Sequence, residues 1–237
     1  MCIRDRIDIT GKKVFLRVDF NVPLIEGKII SDIRILEAIP TIKLILSKGA
    51  AVIIGSHLGR PKGKIIPELS ISPIADILKQ HLKLPNIMVA SDVIGESAIS
   101  LSTKLLPGDV MFVENLRFES GEETNDAEMS KVLASMSDVF VNDAFSCSHR
   151  AHSSVLGITS FLPSVAGLSM QKEIDMLNKV LKKPIKPVTA IVGGSKISTK
   201  LAILEHLIEK VDHMIIGCLL YTSPSPRDQR GSRIAGC

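Results

Sequence analysis

Cationic and short polar side chains follow several apolar segments of this 237-residue chain. The segments "VDFN", "SHLGRP", "ENLRF" and "AFSCSHRAH" each carry such residues, and one more arginine follows "SD". The residues are Asp19, Asn21, Arg34, His57, Arg60, Arg117, His149, Arg150 and His152. An arginine side chain binds phosphate or carboxylate through two parallel hydrogen bonds and stays charged. Together with the polar acceptors, these cations predict a site for an anionic substrate that also carries a hydroxyl.

Each motif alone has a simpler interpretation. A single arginine after a strand is more commonly a solvated surface residue, "HRAH" fits a polar loop, and "SHLGRP" fits a Gly-Pro turn. His149 and His152 lack partners at metal-ligand spacing, so no protein-bound metal is expected. The repetition of these motifs after successive strands favours the binding interpretation.

A second phosphate-binding device is predicted in "IVGGSKISTK", where Gly193 and Gly194 follow an apolar strand and open a helix. Glycines permit close backbone approach, and free amides at a helix start attract anions. Lys196 and Lys200 are four residues apart and share one helix face. The stretch does not match the G-x-x-x-x-G-K-[ST] pattern, and a tight strand-to-helix turn with exposed lysines is the alternative.

The elements that must position these residues alternate between β-branched apolar runs and amphipathic helical patterns. Strands are predicted at residues 12–20, 50–56, 86–90, 109–115, 138–145, 188–192 and 212–217. Helices are predicted at 34–49, 72–82, 126–136, 168–183 and 198–211. This alternation is typical of a parallel sheet with crossover helices, where ligands bind beyond the carboxyl ends of the strands.

The predicted fold class is α/β, with a Rossmann-like three-layer parallel-sheet domain, a connecting helix and a truncated second α/β domain. The predicted boundaries are an N-terminal domain at 7–167, a hinge helix at 168–185 and the start of a second domain at 186–217. Residues 1–6 and 218–237 are set apart as segments of foreign origin.

Charge and cysteine content exclude several classes of protein. Three of the four net positive charges lie in residues 1–6 and 218–237, so no nucleic-acid partner is indicated. Only Cys147 of the four cysteines lies outside those segments, which argues against a disulfide framework. Neither a signal peptide nor a membrane-spanning apolar run is present. The expectation is a soluble protein of a reducing compartment, with no membrane partner.

The two ends of the chain could be encoded by complementary DNA sequences. Codons exist for "MCIRDR" whose reverse complement encodes the "CLLYTS" that begins at Cys218. The pair resembles a translated library adaptor, and both ends are hypothesised to be non-biological. A natural Ser/Pro/Arg-rich tail is the alternative, and the source nucleotides would decide between the two.

Six motifs in order resemble the phosphoglycerate kinase family from about Ile7 to Gly217. They are "RVDFNVP", "SDIRI", "SHLGRP", "ENLRF", "DAFSCSHRAHSS" and "IVGGSKISTKL". The resemblance implies two Rossmann-like domains joined by a hinge helix, with 3-phosphoglycerate on the N-terminal domain and Mg²⁺-nucleotide on the C-terminal domain. It also implies a cytoplasmic enzyme of glycolysis that is expected to be a monomer.

By the same resemblance, Asp19 and Asn21 contact the hydroxyl and carboxylate side of the glycerate, and Phe20 supplies adjacent backbone. The residues implied to hold the 3-phosphate or to shape its loop are Ser56, His57, Leu58, Gly59, Arg60, Arg117 and Arg150. Arg34 is implied to reach the carboxylate that becomes the acyl phosphate and to offset charge in the transition state. Contacts to the nucleotide phosphates are implied for Gly193, Gly194, Lys196 and Lys200, with both lysines catalytic.

The implied reaction is reversible phosphoryl transfer from 1,3-bisphosphoglycerate to ADP, giving 3-phosphoglycerate and ATP. The family continues beyond Gly217 with most of its nucleotide domain, so the chain as written is expected to lack activity. One alternative is a non-catalytic module that binds 3-phosphoglycerate without turning it over. Another is a phosphosugar-binding α/β protein of a different family, although this alternative leaves six ordered motifs without an explanation.

Overall fold

The computed structural model describes residues 3, 7–25, 28–182, 184–193 and 201–217. The chain divides into two compact units, Met1–Glu173 and Ile174–Cys237, and each is described by itself. Gly194, Lys196 and Lys200, for which nucleotide contacts are predicted, lie outside the described residues.

The first unit alternates strands and helices. Its strands are β1 (Lys13–Arg17), β2 (Leu24–Ile25), β3 (Lys28–Ile29), β4 (Ala51–Gly55), β5 (Met88–Val89), β6 (Val110–Phe112), β7 (Val139–Asn142) and β8 (Ser164–Ala166). Its helices are α1 (Ile33–Ser47), α2 (Ser72–Leu82), α3 (Glu96–Lys104), α4 (Gly121–Thr124), α5 (Ala127–Ser135) and the first residues of α6 (Leu168–Lys182). Short 3₁₀ turns follow several of the strands.

Six of these strands form one parallel sheet in the order β5-β6-β4-β1-β7-β8. In the centre, β1 pairs with β4 through the register Lys13↔Ala51 to Arg17↔Gly55, and with β7 on its other side. β2 and β3 form a separate antiparallel pair. The predicted α/β fold with a mainly parallel sheet is confirmed.

Side chains alternate between the two faces of the sheet and build two cores. On β1, Val14 and Leu16 belong to the core that packs against α1 and α2, whereas Phe15 belongs to the core that packs against α3 and α5. The same alternation holds on β4, β6 and β7. Strands buried on both faces are typical of a sheet covered by helices on either side, which gives the three layers.

The start of α6 is fixed by a buried carboxylate. Asp143, just after β7, accepts a hydrogen bond from Met170 N at 2.9 Å and another from Thr41 Oγ1 in α1 at 2.5 Å. The Thr41 hydroxyl in turn accepts from Leu168 N at 3.1 Å. The polar N–H groups of the first turn of α6 are thus satisfied inside the first unit.

The second unit contains one βαβ motif. β9 (Thr189–Val192) pairs in parallel with β10 (His213–Ile216), and α7 (Leu201–Ile208) lies between them in the chain. The sequence predicted this order of elements. Among the described helices of the chain, none has the length and apolar composition that a membrane crossing needs.

Ile3 belongs to the N-terminal segment that was hypothesised to be foreign. Its side chain is buried, and its backbone N–H donates to Ala166 O at 2.9 Å. Residue 3 therefore contributes to the core, and the origin of the two ends stays a prediction that the source nucleotides would test.

Candidate active site

The predicted acid-binding residues follow the carboxyl ends of four adjacent strands. Asp19 follows β1, His57 follows β4, Arg117 follows β6 and Arg150 follows β7. The four strands are neighbours in the order β6-β4-β1-β7 and run parallel, so their carboxyl ends share one edge of the sheet. The structure therefore brings this set of predicted residues to a common edge, where parallel sheets bind ligands.

Two hydrogen bonds join the loops that follow β1 and β4. Phe20 N donates to the fully buried Ser56 Oγ at 2.9 Å, and Gly59 N donates to Asn21 Oδ1 at 2.9 Å. Gly59 has φ +63°, and a Cβ there would lie 2.9 Å from side-chain carbons of Leu69. Both the backbone conformation and the lack of space require glycine. The two loops thus have a fixed mutual position before any ligand arrives.

The Asn115 side chain hydrogen-bonds to the backbone of the loop after β4, and the sequence had not indicated this role. Its Oδ1 accepts from Leu58 N at 3.2 Å and from Arg117 N at 3.1 Å. Its Nδ2 donates to Leu58 O at 2.8 Å and to Leu69 O at 2.9 Å. These bonds use both donors and both lone pairs of a fully buried amide. An asparagine three residues after a buried strand was the available signal.

Asp19 is the acceptor at the centre of the edge. Its Oδ2 accepts from Arg34 Nη1 and from Ser146 Oγ, and its Oδ1 accepts from Asn21 N at 3.1 Å. Burial opposes ionisation, but the hydrogen bonds from Ser146 and Asn21 and the charge of Arg34 outweigh it, so the pKa of Asp19 is lowered. Asp19 is therefore an ionised acceptor at neutral pH, and Ser146 is a contact that the sequence did not predict.

The Arg34 side chain is 46% exposed, whereas that of Arg117 is 5% exposed and that of its own partner Asp19 is 14% exposed. Both residues line a pocket of about 200 Å³. Its remaining lining residues are Glu37, Ala38, Asp143, Ala144, Phe145, Ser146, Ser169 and Glu173. The pocket gives a ligand at the edge access to Arg34.

His57 is buried beside two arginines. Its Nδ1 lies 3.2 Å from Arg17 Nη2. Burial first, and then the charges of Arg17 and Arg117, lower the pKa of His57 to about 3. The imidazole is therefore neutral at physiological pH and can act as a hydrogen-bond donor without carrying charge. Arg17, which ends the strand "KVFLR", had no predicted role; an arginine closing an apolar strand was its signal.

Arg117 is only 4% exposed and forms a hydrogen bond to the loop after β4. Its Nη1 donates to Gly59 O at 2.7 Å, and its Nε lies 3.2 Å from Glu123 Oε1 as an ion pair without hydrogen-bond alignment. Burial lowers the pKa of Arg117, and Glu123 opposes that shift. Arg150 is close enough to lower the pKa of both Arg117 and His57. These charges concentrate positive potential at the edge.

Three groups in this part of the edge have donor atoms that suit a metal ion. Within the described residues, ligand atoms of Asp19, His57 and Cys147 lie within 4.8 Å of one another. Asp19 already accepts from three donors, and His57 Nδ1 faces the Arg17 guanidinium. A divalent cation would also be repelled by the surrounding arginines. The electrostatics favour an anion at this position.

Comparison with known proteins places the chain in a family. The family model for phosphoglycerate kinase matches residues 3–223. The chain belongs to the phosphoglycerate kinase family. The family expected from the six motifs is confirmed, and the matched range includes part of each segment that was hypothesised to be foreign.

Two solved structures show the same family likeness. Phosphoglycerate kinase from Coxiella burnetii is 38% identical with a TM-score of 0.80, and the match covers 92% of this chain and 54% of that one. Phosphoglycerate kinase from Pyrococcus horikoshii OT3 is 32% identical with a TM-score of 0.83, covering 93% of this chain and 56% of that one. The chain therefore spans little more than half the length of these phosphoglycerate kinases.

Two of the remaining predicted residues can also be located in the structure. Arg60 is exposed directly after Gly59. Gly193 directly follows β9, at the carboxyl end of that strand. The other residues predicted for the nucleotide phosphates of a phosphoglycerate kinase lie outside the described part of the chain.

Proposed function

We propose that this protein is a phosphoglycerate kinase that transfers a phosphoryl group reversibly between 1,3-bisphosphoglycerate and ADP. The observation that supports it most is the cluster of cations around Asp19 at one edge of the parallel sheet. A substrate with a phosphate, a carboxylate and a hydroxyl matches that combination of cations and one ionised acceptor. Family membership supports the same reaction.

The 3-phosphate is assigned to His57, Arg60, Arg117 and Arg150. His57 and Arg117 are buried, and Arg117 Nη1 is fixed by Gly59 O at 2.7 Å. Hydrogen bonds to charged groups are stronger where water is excluded. We therefore assign most of the binding free energy for the phosphate to the buried pair, with Arg60 and Arg150 completing the charge balance.

The glycerate end is assigned to Asp19, Asn21 and Arg34. Ionised Asp19 would accept a hydrogen bond from the substrate hydroxyl, and Arg34 would turn from Asp19 to the carboxylate. The 46% exposure of the Arg34 side chain leaves it room to move. Phosphoryl transfer depends on alignment and charge stabilisation more than on a protein nucleophile. Arg34 is therefore proposed to offset charge that develops in the transition state.

The nucleotide phosphates are assigned to Gly193, Gly194, Lys196 and Lys200. Mg²⁺ bound to ADP or ATP would neutralise phosphate charge in the same step. Gly193 follows the carboxyl end of β9, the position at which parallel sheets bind phosphate groups. Lys196 and Lys200 are proposed to guide the phosphoryl group in transit.

A second candidate function is binding of 3-phosphoglycerate without transfer. It is favoured by the location of all the described acid-binding residues within the first unit, Met1–Glu173. Isothermal titration calorimetry with 3-phosphoglycerate, glycerol 3-phosphate and Mg²⁺-ATP, together with an assay for ATP formation, separates the two. Both functions predict saturable binding of 3-phosphoglycerate that is weaker for the analogue without a carboxylate. ATP formation by a full-length protein that carries this chain supports the kinase, and acid binding without ATP formation in that protein supports the module. Absence of acid binding contradicts both.

We also propose that the protein acts in the cytoplasm as a monomer, as the family resemblance implies. Within the described residues Cys147 is a free, buried thiol, which is compatible with a reducing compartment. Sedimentation velocity at micromolar concentration tests the monomer, and a concentration-dependent dimer would contradict it.

A further inference from the structure

Arg17 is a charged side chain with only 1% exposure, at the last position of β1. A buried guanidinium is costly unless its N–H groups have partners. Its Nε donates to Ser154 Oγ at 3.0 Å, its Nη1 donates to Val18 O, and its Nη2 lies 3.2 Å from His57 Nδ1. All three nitrogens of the side chain therefore have partners inside the protein.

The counter-charge is the fully buried Glu122, to which Arg17 is connected through one hydroxyl. Ser154 Oγ donates to Glu122 Oε1 at 2.6 Å, and Ser154 N donates to Oε2 at 3.0 Å. Burial opposes ionisation of Glu122, but hydrogen bonds from His152 and Ser154 and the charge of Arg17 outweigh it and lower its pKa. We call Glu122, Ser154 and Arg17 the Arg17 network.

The Arg17 network determines which nitrogen of His57 carries the proton. A guanidinium only donates hydrogen bonds, so the ring nitrogen that faces it must be an acceptor. Nδ1 of His57 is that nitrogen. A neutral imidazole with an acceptor at Nδ1 has its proton on Nε2. Because the Ser154 hydroxyl proton is donated to Glu122, Ser154 can only accept from Arg17, and the direction of each bond is fixed.

We propose that Arg17 is a positioning residue whose network holds the His57 ring neutral, with Nε2–H free to donate one hydrogen bond to the substrate phosphate. The destination of that hydrogen bond rests on the proposed function, whereas the state of the ring does not. Arg17 acts through His57, and its guanidinium is already occupied by protein partners.

The ring is surrounded by several charged or titratable groups, so each must be considered. Arg17, Arg117 and Arg150 disfavour the imidazolium, and Asp19 favours it. Cys147 also lies close to the ring. Because burial and Arg17 are the two largest causes of the lowered pKa of His57, loss of Arg17 is expected to raise the midpoint from about 3 toward 6.5.

The test is ¹⁵N NMR of the histidine rings in the full chain without substrate, between pH 5 and pH 8. In the wild type, His57 should show the Nε2–H tautomer and no titration. In Arg17→Gln the midpoint should rise while the effect of burial remains, so protonation of the ring should become detectable at the acid end of this range. An Nδ1–H tautomer in the wild type, or a titration that Arg17→Gln leaves unchanged, would overturn the proposal.

Ser154→Ala tests the network with a smaller change, in case Arg17→Gln does not fold. It removes the hydroxyl that anchors Arg17 Nε, and we expect a detectable fraction of the Nδ1–H tautomer. Ser102→Ala is the matched control, because Ser102 is likewise buried and its hydroxyl donates to Ile99 O within α3. If Ser154→Ala and Ser102→Ala both give the His57 spectrum of the wild type, the network does not position the ring.

A binding measurement separates this inference from the proposed function. The ratio of 3-phosphoglycerate Kd values, Arg17→Gln over wild type, should be several-fold larger at pH 8 than at pH 5, because only the variant gains an imidazolium at low pH. A ratio that does not vary with pH overturns the role of the ring in binding. If the wild type does not bind 3-phosphoglycerate but the NMR results hold, the proposed function fails and the positioning of His57 stands.

Discussion

The carboxyl edge of the sheet has a buried side and an open side. The buried side consists of Arg17, His57 and Arg117, each no more than 5% exposed. The open side consists of Asp19, Arg34 and Ser146, and Arg34 there is 46% exposed. Both sides carry arginine, yet only the buried side is held by backbone carbonyls and a fully buried counter-charge.

This difference separates two tasks within one site. Polar groups that are buried must find partners when the protein folds, so the geometry of the buried side is set before the ligand binds. An exposed arginine keeps its hydration and can change partners at small cost. We infer that the buried side provides affinity for the phosphate and that the open side responds to the reacting end of the substrate.

The largest expected effect concerns the counter-charge of the buried side. Glu122→Ala leaves Arg17 buried without its anion, which should lower the free energy of unfolding by about 3–5 kcal/mol. Glu128→Ala is the control, because Glu128 is an exposed carboxylate in the first turn of α5 and should cost at most about 1 kcal/mol. Guanidinium unfolding at pH 7 measures both variants. Equal losses for the two would remove the distinction between the buried and open sides.

The second expected effect is on turnover. In a full-length phosphoglycerate kinase that carries this arginine, Arg34→Ala should lower kcat by about 10²–10³-fold, the size typical of a lost transition-state donor. The affinity for 3-phosphoglycerate should fall by less than about tenfold, because an exposed arginine contributes little to ground-state binding. Steady-state kinetics and calorimetry provide the two values. Unchanged kcat with weakened affinity would reverse the roles of the two sides.

Third, Arg117→Ala should mainly weaken binding. Loss of a charge-assisted hydrogen bond of about 1.5–3 kcal/mol corresponds to a Kd about 10–150-fold higher. Lys104→Ala removes the same charge from an exposed position at the end of α3 and should leave Kd within about twofold. Calorimetry with 3-phosphoglycerate, after circular dichroism confirms folding, compares them. A similar weakening in both variants would mean that net charge, and not the buried arginine, governs affinity.

The smallest expected effect is a pH-dependent decrease in the free energy of unfolding when a contact on the open side is removed. The pKa of Asp19 in the folded state is below its ordinary value of 3.8, so its ionised form contributes stability above 3.8 that is lost as pH falls through the folded pKa. Ser146→Ala removes one donor to that carboxylate and should cost about 1 kcal/mol at pH 7. The cost should shrink as the pH falls below 3.8.

Unfolding measurements at pH 7 and at pH 3 compare Ser146→Ala with Ser135→Ala, which removes an exposed helix serine. The control should lose less than about 0.5 kcal/mol at both values. A cost for Ser146→Ala that does not change with pH would show that its bond to Asp19 does not depend on the ionised form.

Periodicity predicted the central strands and most helices because these segments are apolar on a regular spacing. It missed α3 and β8 for physical reasons. The helix "ESAISLSTK" is rich in serine and threonine, which have modest helix propensity. β8 has three residues, too few for an alternation to be recognised, and its place at the sheet edge depends on pairing with β7. Long-range pairing of this kind is not encoded in a local pattern.

The sequence predicted the residues of the candidate site that follow strand ends. It did not predict the residues that hold those side chains in place. Asp19, His57 and Arg117 follow strand ends, and that position alone predicted their common edge. The supporting contacts of Glu122, Ser154 and Asn115 join residues up to 137 positions apart in the chain. Such pairs have no local signature, and only the folded structure shows that the buried cations have partners.

Arginine side-chain NMR of the full chain during titration with 3-phosphoglycerate tests most directly whether the carboxyl edge of the sheet binds this acid. The Nε–H resonances of Arg34, Arg117 and Arg150 should shift saturably, and that of Arg17 should move least because its partners are within the protein. Absence of saturable shifts at millimolar 3-phosphoglycerate, or shifts confined to residues away from this edge, would contradict binding of the acid at this edge.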